Sequence, residues 1–127
     1  MIEINIDQAI AGVKAIVAEY GHDYVYTKRP FGHGASRCVY VYEGQPDCLV
    51  GKFLAAQGVS IEHLAEGDTA RFGSAAENLL DYLAQDRILG TDTETVVFLA
   101  NLQYEQDQGS EWGVALRRAT EIVSQDD

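Results

Sequence analysis

Asp23-Tyr24-Val25-Tyr26-Thr27-Lys28 and Arg37-Cys38-Val39-Tyr40-Val41-Tyr42 are rich in aromatic and β-branched residues that alternate with period two. That period puts neighbouring side chains on opposite faces of a strand, so both stretches are expected to be strands. Arg29-Pro30-Phe31-Gly32-His33-Gly34-Ala35-Ser36 lies between them, with one Pro and two Gly as breakers. An antiparallel hairpin with a long loop is the simplest assembly. Pairing Tyr26 with Tyr40 sets Tyr24 opposite Tyr42 and Lys28 opposite Cys38, all on one face. Val25, Val39 and Val41 take the other face and are expected to pack on helices. These two segments make the chain α+β rather than all-helical.

Helical signals lie on both sides of the hairpin. Ile2, Ile4 and Ile6 alternate and read as extended, and Asp7 stands where an N-cap belongs. Ile10, Val13, Val17 and Tyr20 follow at helical spacing up to Gly21. After the turn Glu43-Gly44-Gln45-Pro46-Asp47, Asp47 can cap a helix from Cys48 to Gln57 that Gly58 stops. Ser60 starts a short helix through Leu64, and Glu66-Gly67-Asp68 breaks the chain. Ser74 with Glu77 and Thr91 with Glu94 form two capping boxes. The first opens a helix expected to run to Gly90. The second opens one whose Val96-Val97-Phe98-Leu99-Ala100 run is apolar all round, as in a central buried helix. Gly109-Ser110 ends it and caps the last helix, with Trp112, Ala115, Leu116, Ala119, Ile122 and Val123 on one face. The expected architecture is a single domain over 1–127, an antiparallel β-hairpin packed on a bundle of about five helices.

Composition narrows the class of function. At 127 residues the chain suits one domain of the usual ~100–200. With 46% hydrophobic and 23% charged residues it has the make-up of a packed globule. No run approaches the ~18 apolar residues of a membrane span, and Met1-Ile2-Glu3-Ile4-Asn5 lacks the basic start of a secretory signal. A cytoplasmic protein with no membrane contact is the expectation. Cys38 and Cys48 form no CxxC and read as small buried hydrophobes, with a disulfide as the lesser alternative. The net charge of −11 argues against nucleic acid as a partner. Residues 1–60 hold six acids and five bases, whereas residues 61–127 hold fourteen acids and four bases.

No catalytic constellation emerges, so the chain reads as a non-enzyme without cofactor or metal. His22, His33, Cys38, Cys48 and His63 lack the paired spacing of zinc ligands. Glu62 with Glu66 and Glu77 with Asp81 read as solvated helix faces. The helix 92–108 has no base to dock in a DNA groove. Two surfaces remain. Tyr24, Tyr26, Tyr40 and Tyr42 would form an amphipathic face of the kind enriched at interfaces, or a face covered by a helix. Lys28, Arg29, His33 and Arg37 surround Gly32 and Gly34, whose amides could converge on an anion. Combined, rings and bases also suit a nucleotide or single-stranded nucleic acid. The acidic half could act as a decoy for a nucleic-acid-binding protein, or simply as a solubility surface.

Cys38-Val-Tyr-Val-Tyr-Glu-Gly-Gln-Pro-Asp-Cys48-Leu-Val-Gly-Lys-Phe-Leu, running on to Gly58-Val59, resembles a strand-turn-helix of small uncharacterised proteins of actinobacterial phages. Asp107-Gln-Gly-Ser-Glu-Trp112-Gly-Val-Ala-Leu resembles the last helix-to-helix turn of similar phage proteins. The resemblance implies an accessory protein at work in a bacterial host cytoplasm and transfers no residue role. The expected function is a small acidic protein that binds a host protein. A phosphate or nucleotide binder and a structural homodimer are the alternatives.

Overall fold

The computed structural model describes residues 1–31, 35–37, 39–68 and 76–124. In chain order the elements are β1 (Ile2–Ile4), α1 (Ile6–Tyr20), β2 (Arg29–Phe31), β3 (Ala35–Arg37), β4 (Val41–Tyr42) and β5 (Gln45–Pro46). There follow α2 (Leu49–Ala56), α3 (Ile61–Glu66), α4 (Ala76–Gln85), β6 (Leu89–Thr91), α5 (Thr93–Asp107) and α6 (Trp112–Ser124). The described chain is therefore mostly helical, with short strands: α+β.

One buried cluster draws on β1, β6 and all six described helices, with Trp112, Phe53 and Phe98 its largest members. α5 lies at the centre and packs on α1, α2, α4 and α6. It is not apolar all round. Thr95, Phe98, Leu99, Leu102, Gln103 and Gln106 are buried, while Val97 and Tyr104 face outward on the opposite side of the 3.6-residue turn. In α6 the same periodicity buries Trp112, Ala115, Leu116, Ala119 and Val123 but leaves Ile122 exposed, against expectation.

The helix ends show how local chemistry shifts boundaries. α1 starts earlier than expected because Asn5, not Asp7, is its N-cap. Asn5 Oδ1 accepts from the Gln8 amide and Gln8 Oε1 from the Asn5 amide, both at 2.9 Å. α2 is capped by Cys48, whose Sγ accepts from the Gly51 amide at 3.3 Å, and Asp47 is left for another task. Ser60 caps α3 as expected. α4 stops well short of Gly90: the Arg87 amide reaches Ala84 O and the Ile88 amide reaches Leu83 O, with Arg87 at φ 58°. This is a Schellman cap, in which glycine usually fills the left-handed position, as Gly58 and Gly109 do after α2 and α5. Arg87→Gly should therefore stabilise the protein by about 0.5–1 kcal/mol in urea unfolding, the relief of left-handed strain exceeding glycine's entropic cost. The Ser74 capping box lies outside the described residues.

Gly90 belongs instead to a strand. β1 and β6 pair in parallel, with Ile2 opposite Leu89, Glu3 opposite Gly90 and Ile4 opposite Thr91. Thr91 thus ends a strand, and Asp92 replaces it as the cap of α5, accepting from the Thr95 amide at 2.9 Å and from the Thr95 hydroxyl. The Thr95 hydroxyl first, then the Thr95 and Ile6 amides, hold the Asp92 carboxyl below its ordinary value near 3.8, with burial opposing them. One carboxylate so serves the N-termini of both α1 and α5, where the helix dipole favours negative charge. A lowered folded pKa gives stability that is complete above the unfolded value and fades as pH falls through the folded one. Asp92→Asn keeps a capping oxygen and loses only the charge, so it should cost a few tenths of a kcal/mol at neutral pH, and its unfolding curve should converge on wild type in acid.

The expected hairpin is corrected: the antiparallel ladder lies largely within the stretch expected to be its loop, and the expected pairs Tyr26–Tyr40 and Tyr24–Tyr42 do not form. β2 and β3 pair Arg29 with Arg37, Pro30 with Ser36 and Phe31 with Ala35. Continued downward, that register would join Tyr26 to Tyr40, yet 23–28 and 39–40 are not strands. The Tyr40 and Val41 amides turn instead to Asp68 Oδ1 and Oδ2, at 2.7 and 3.0 Å. The true partner of 39–42 is 45–48. β4 pairs with β5, Asp47 N reaches Tyr40 O at 2.9 Å, and Cys48 N reaches Val39 O at 3.0 Å. The loop of this second hairpin is Glu43-Gly44, with φ of 53° and 78°, as a type I′ turn requires. So short a loop closes at less entropic cost than the long one back to residue 26.

Candidate functional site

Asp47 is the centre of a polar cluster. Arg29 Nε and Nη2 donate to its Oδ2 and Oδ1, each at 3.0 Å, and the Tyr26 hydroxyl donates to Oδ2. The same hydroxyl accepts from the Val39 amide at 3.2 Å. Arg29 also lies over the Tyr42 ring, 4.5 Å from its centroid. Burial, then the hydrogen bond to Asp47, push the Tyr26 phenol far above its ordinary value near 10 and keep it a donor. The bond to Asp47 likewise raises Arg29, so the guanidinium is permanently charged. The cluster is a strut joining the base of the β2–β3 hairpin to the start of α2.

The four tyrosines therefore do not share one open face. Tyr26 is 7% exposed and Tyr40 2%, while Tyr24 and Tyr42 are half-buried. Tyr24 stacks obliquely on Trp112, centroids 4.5 Å apart, with Tyr20 edge-on at 5.4 Å. Tyr40 packs against Gly51 and Gly67, and burial raises its phenol. Val25, expected inside, is 46% exposed, whereas Val39 is buried and Val41 half-buried. The inversion has a simple cause. A buried phenol gains ring contacts and can still satisfy its hydroxyl, as Tyr26 does with Asp47 and Val39.

Of the basic residues, Lys28 is exposed, Arg29 is in the strut, and Arg37 is the register partner of Arg29. His33 and Cys38 lie outside the described residues. Three polar side chains that sequence reading passed over do structural work. Asp68, read as a chain breaker, holds the Tyr40 and Val41 amides. Gln106 Oε1 accepts from the Leu49 amide at 2.8 Å, and Gln103 Oε1 accepts from the Cys48 thiol at 3.7 Å. Two glutamines on the Phe98–Leu102 stripe were the available signal, since a polar residue at a core position needs a partner.

Among the described residues no three His, Cys, Asp or Glu side chains come together as a metal site requires. None of their helices is long and apolar enough to cross a membrane. An open cleft of about 600 Å³ runs between the 22–23 turn and α6, edged by Lys14, Asp23, Glu111, Arg117 and Glu121. Its rim is mixed in sign and favours neither cation nor anion. No family model matches the chain, no curated protein matches its sequence, and no solved structure matches its fold.

The acids are placed differently from the tyrosines. Glu62, Glu77, Asp81 and Asp86 on and beside α3 and α4 are exposed, and Arg87 is the one base described between residues 61 and 90. Farther on, Arg118 is tied to Glu105 at 2.7 Å and Arg117 to Glu121 at 3.8 Å.

Proposed function

We propose that the chain is a small, single-domain, non-enzymatic binding protein that engages a basic surface of a partner protein. In the setting its phage resemblance implies, that partner belongs to the bacterial host. The observation that supports this reading is the division of labour between the two candidate surfaces. Tyr26, Tyr40 and Arg29 are engaged in internal contacts, while acids of α3 and α4 stand at the surface with Arg87 the one base among the described residues 61–90. Such a field speeds encounter with a basic partner and rejects acidic ones.

The test is capture from an actinobacterial lysate, followed by titration of the purified partner at low and physiological salt. Glu62→Lys, Glu77→Lys and Asp81→Lys combined should weaken the complex about tenfold or more, and added salt should do the same to wild type. A partner held equally well by the charge-reversed variant would overturn the reading. A solution mass of twice the chain, with no partner captured, would replace it with a homodimer.

A further inference from the structure

The Gly113 amide donates to His22 O at 2.9 Å and the Trp112 amide to Tyr24 O at 2.8 Å, which pins the turn after α1 to the start of α6. From that junction α1 runs back and α6 runs forward, packed side by side, and the cleft of about 600 Å³ lies along them. Gly113, Val114 and Leu116 give it an apolar stretch, and its size is that of a small-ligand site. The charges on its rim are sorted by position. Asp23 and Glu111 stand at the junction end. Lys14 lies two turns back along α1 and Arg117 one turn along α6, roughly 6–12 Å from the junction at 1.5 Å per residue. Lys14, Asp23 and Glu111 take part in no ion pair among the described residues, and Arg117 meets Glu121 only at 3.8 Å.

A rim with carboxylates at one end and cations toward the other suits a ligand that carries both charges at its two ends. An extended chain covers about 3.3–3.6 Å per residue, so three residues hold their terminal charges about 10 Å apart. We infer that the cleft binds a short peptide, about three residues long, with free termini and apolar side chains. Its ammonium meets Asp23 and Glu111, its carboxylate meets Lys14 and Arg117, and its side chains lie on Val114 and Leu116. The two pinning bonds and the stacking of Tyr24 on Trp112 hold the cleft ready-made, which lowers the cost of binding. The site is separate from the acidic helices and does not depend on their role.

Trileucine titrated into the protein and followed by amide NMR tests this directly. The Asp23 and Val114 amides should move and saturate. Acetylating the peptide's amine, or amidating its carboxylate, should weaken binding about fivefold in each case. Glu111→Gln should weaken trileucine by a similar factor yet leave the acetylated peptide unaffected, because both changes remove the same contact. Lys14→Gln should do the same for the amidated peptide. Both residues are exposed, and an unchanged spectrum away from the cleft shows that each variant folds. No saturable movement at these amides, or equal binding of trileucine by wild type and both variants, overturns the site. Blocked peptides that bind wild type as well as trileucine does overturn the ligand.

Discussion

Asp47→Ala is expected to lower the unfolding free energy by about 3 kcal/mol in urea titration. The substitution removes both acceptors of the Arg29 fork and the acceptor of the Tyr26 hydroxyl at once. Tyr26 is 7% exposed and cannot turn its hydroxyl to water, so it carries a desolvation cost of about 1–3 kcal/mol. Arg29 is one-third exposed and regains part of its hydration, which keeps the loss at the low end of a broken buried pair. Asp47→Asn keeps one oxygen for Tyr26 and should cost about half as much. A loss below about 1 kcal/mol for the alanine variant would mean that water replaces the strut without penalty.

Gly113→Ala should cost a similar amount, about 2–4 kcal/mol, for an unrelated reason. A Cβ at residue 113 would stand 2.7 Å from His22 O and 2.8 Å from His22 Cβ. The 22–24 turn would have to retreat. With it would go the bonds that satisfy the first amides of α6, Trp112 N to Tyr24 O at 2.8 Å and Gly113 N to His22 O at 2.9 Å. Trp112 is fully buried, so its fluorescence should shift to the red as the turn lifts. Gly109→Ala provides the contrast. Nothing lies near its Cβ, but φ is +87°, and only the left-handed strain of about 1 kcal/mol is expected, with no spectral change. Equal losses at the two positions would argue against the close approach of α6 to His22.

Periodicity and capping residues made most of the helices legible. The stripes of α1, α2 and α6 lie largely where their spacing puts them, and Gly21, Gly58 and Gly109 stop helices as their positions suggest. Errors arose where two local signals competed. Asn5 and Asp7 both cap well, and the reciprocal bond from Gln8 decides for Asn5. Arg87 ends α4 in a conformation that favours glycine, so Gly90 drew the eye instead.

The site was less legible because its geometry depends on distant carboxylates. Strand pattern paired 23–28 with 37–42 and left Arg29 in the loop, and nothing in residues 23–42 announces that Asp68 would withdraw Tyr40 and Val41 from such a ladder. Nor does alternation tell which strand face turns inward. Tyr26 and Tyr40 went in because Asp47 and the surrounding backbone could satisfy or enclose them.

The parallel pairing of β1 with β6 has a consequence for the order in which the molecule assembles. Ile2 is made early, but its partner Leu89 is made only after the four described helices between them in sequence. Until then β1 has no ladder and Ile4, 2% exposed in the finished fold, has no place to bury itself. Contacts of such long sequence separation are closed late and slow the search. The strand that begins the described chain is thus among the last parts to become protected, and amide exchange at Ile2 and Ile4 during refolding should trail that of α5 and α6.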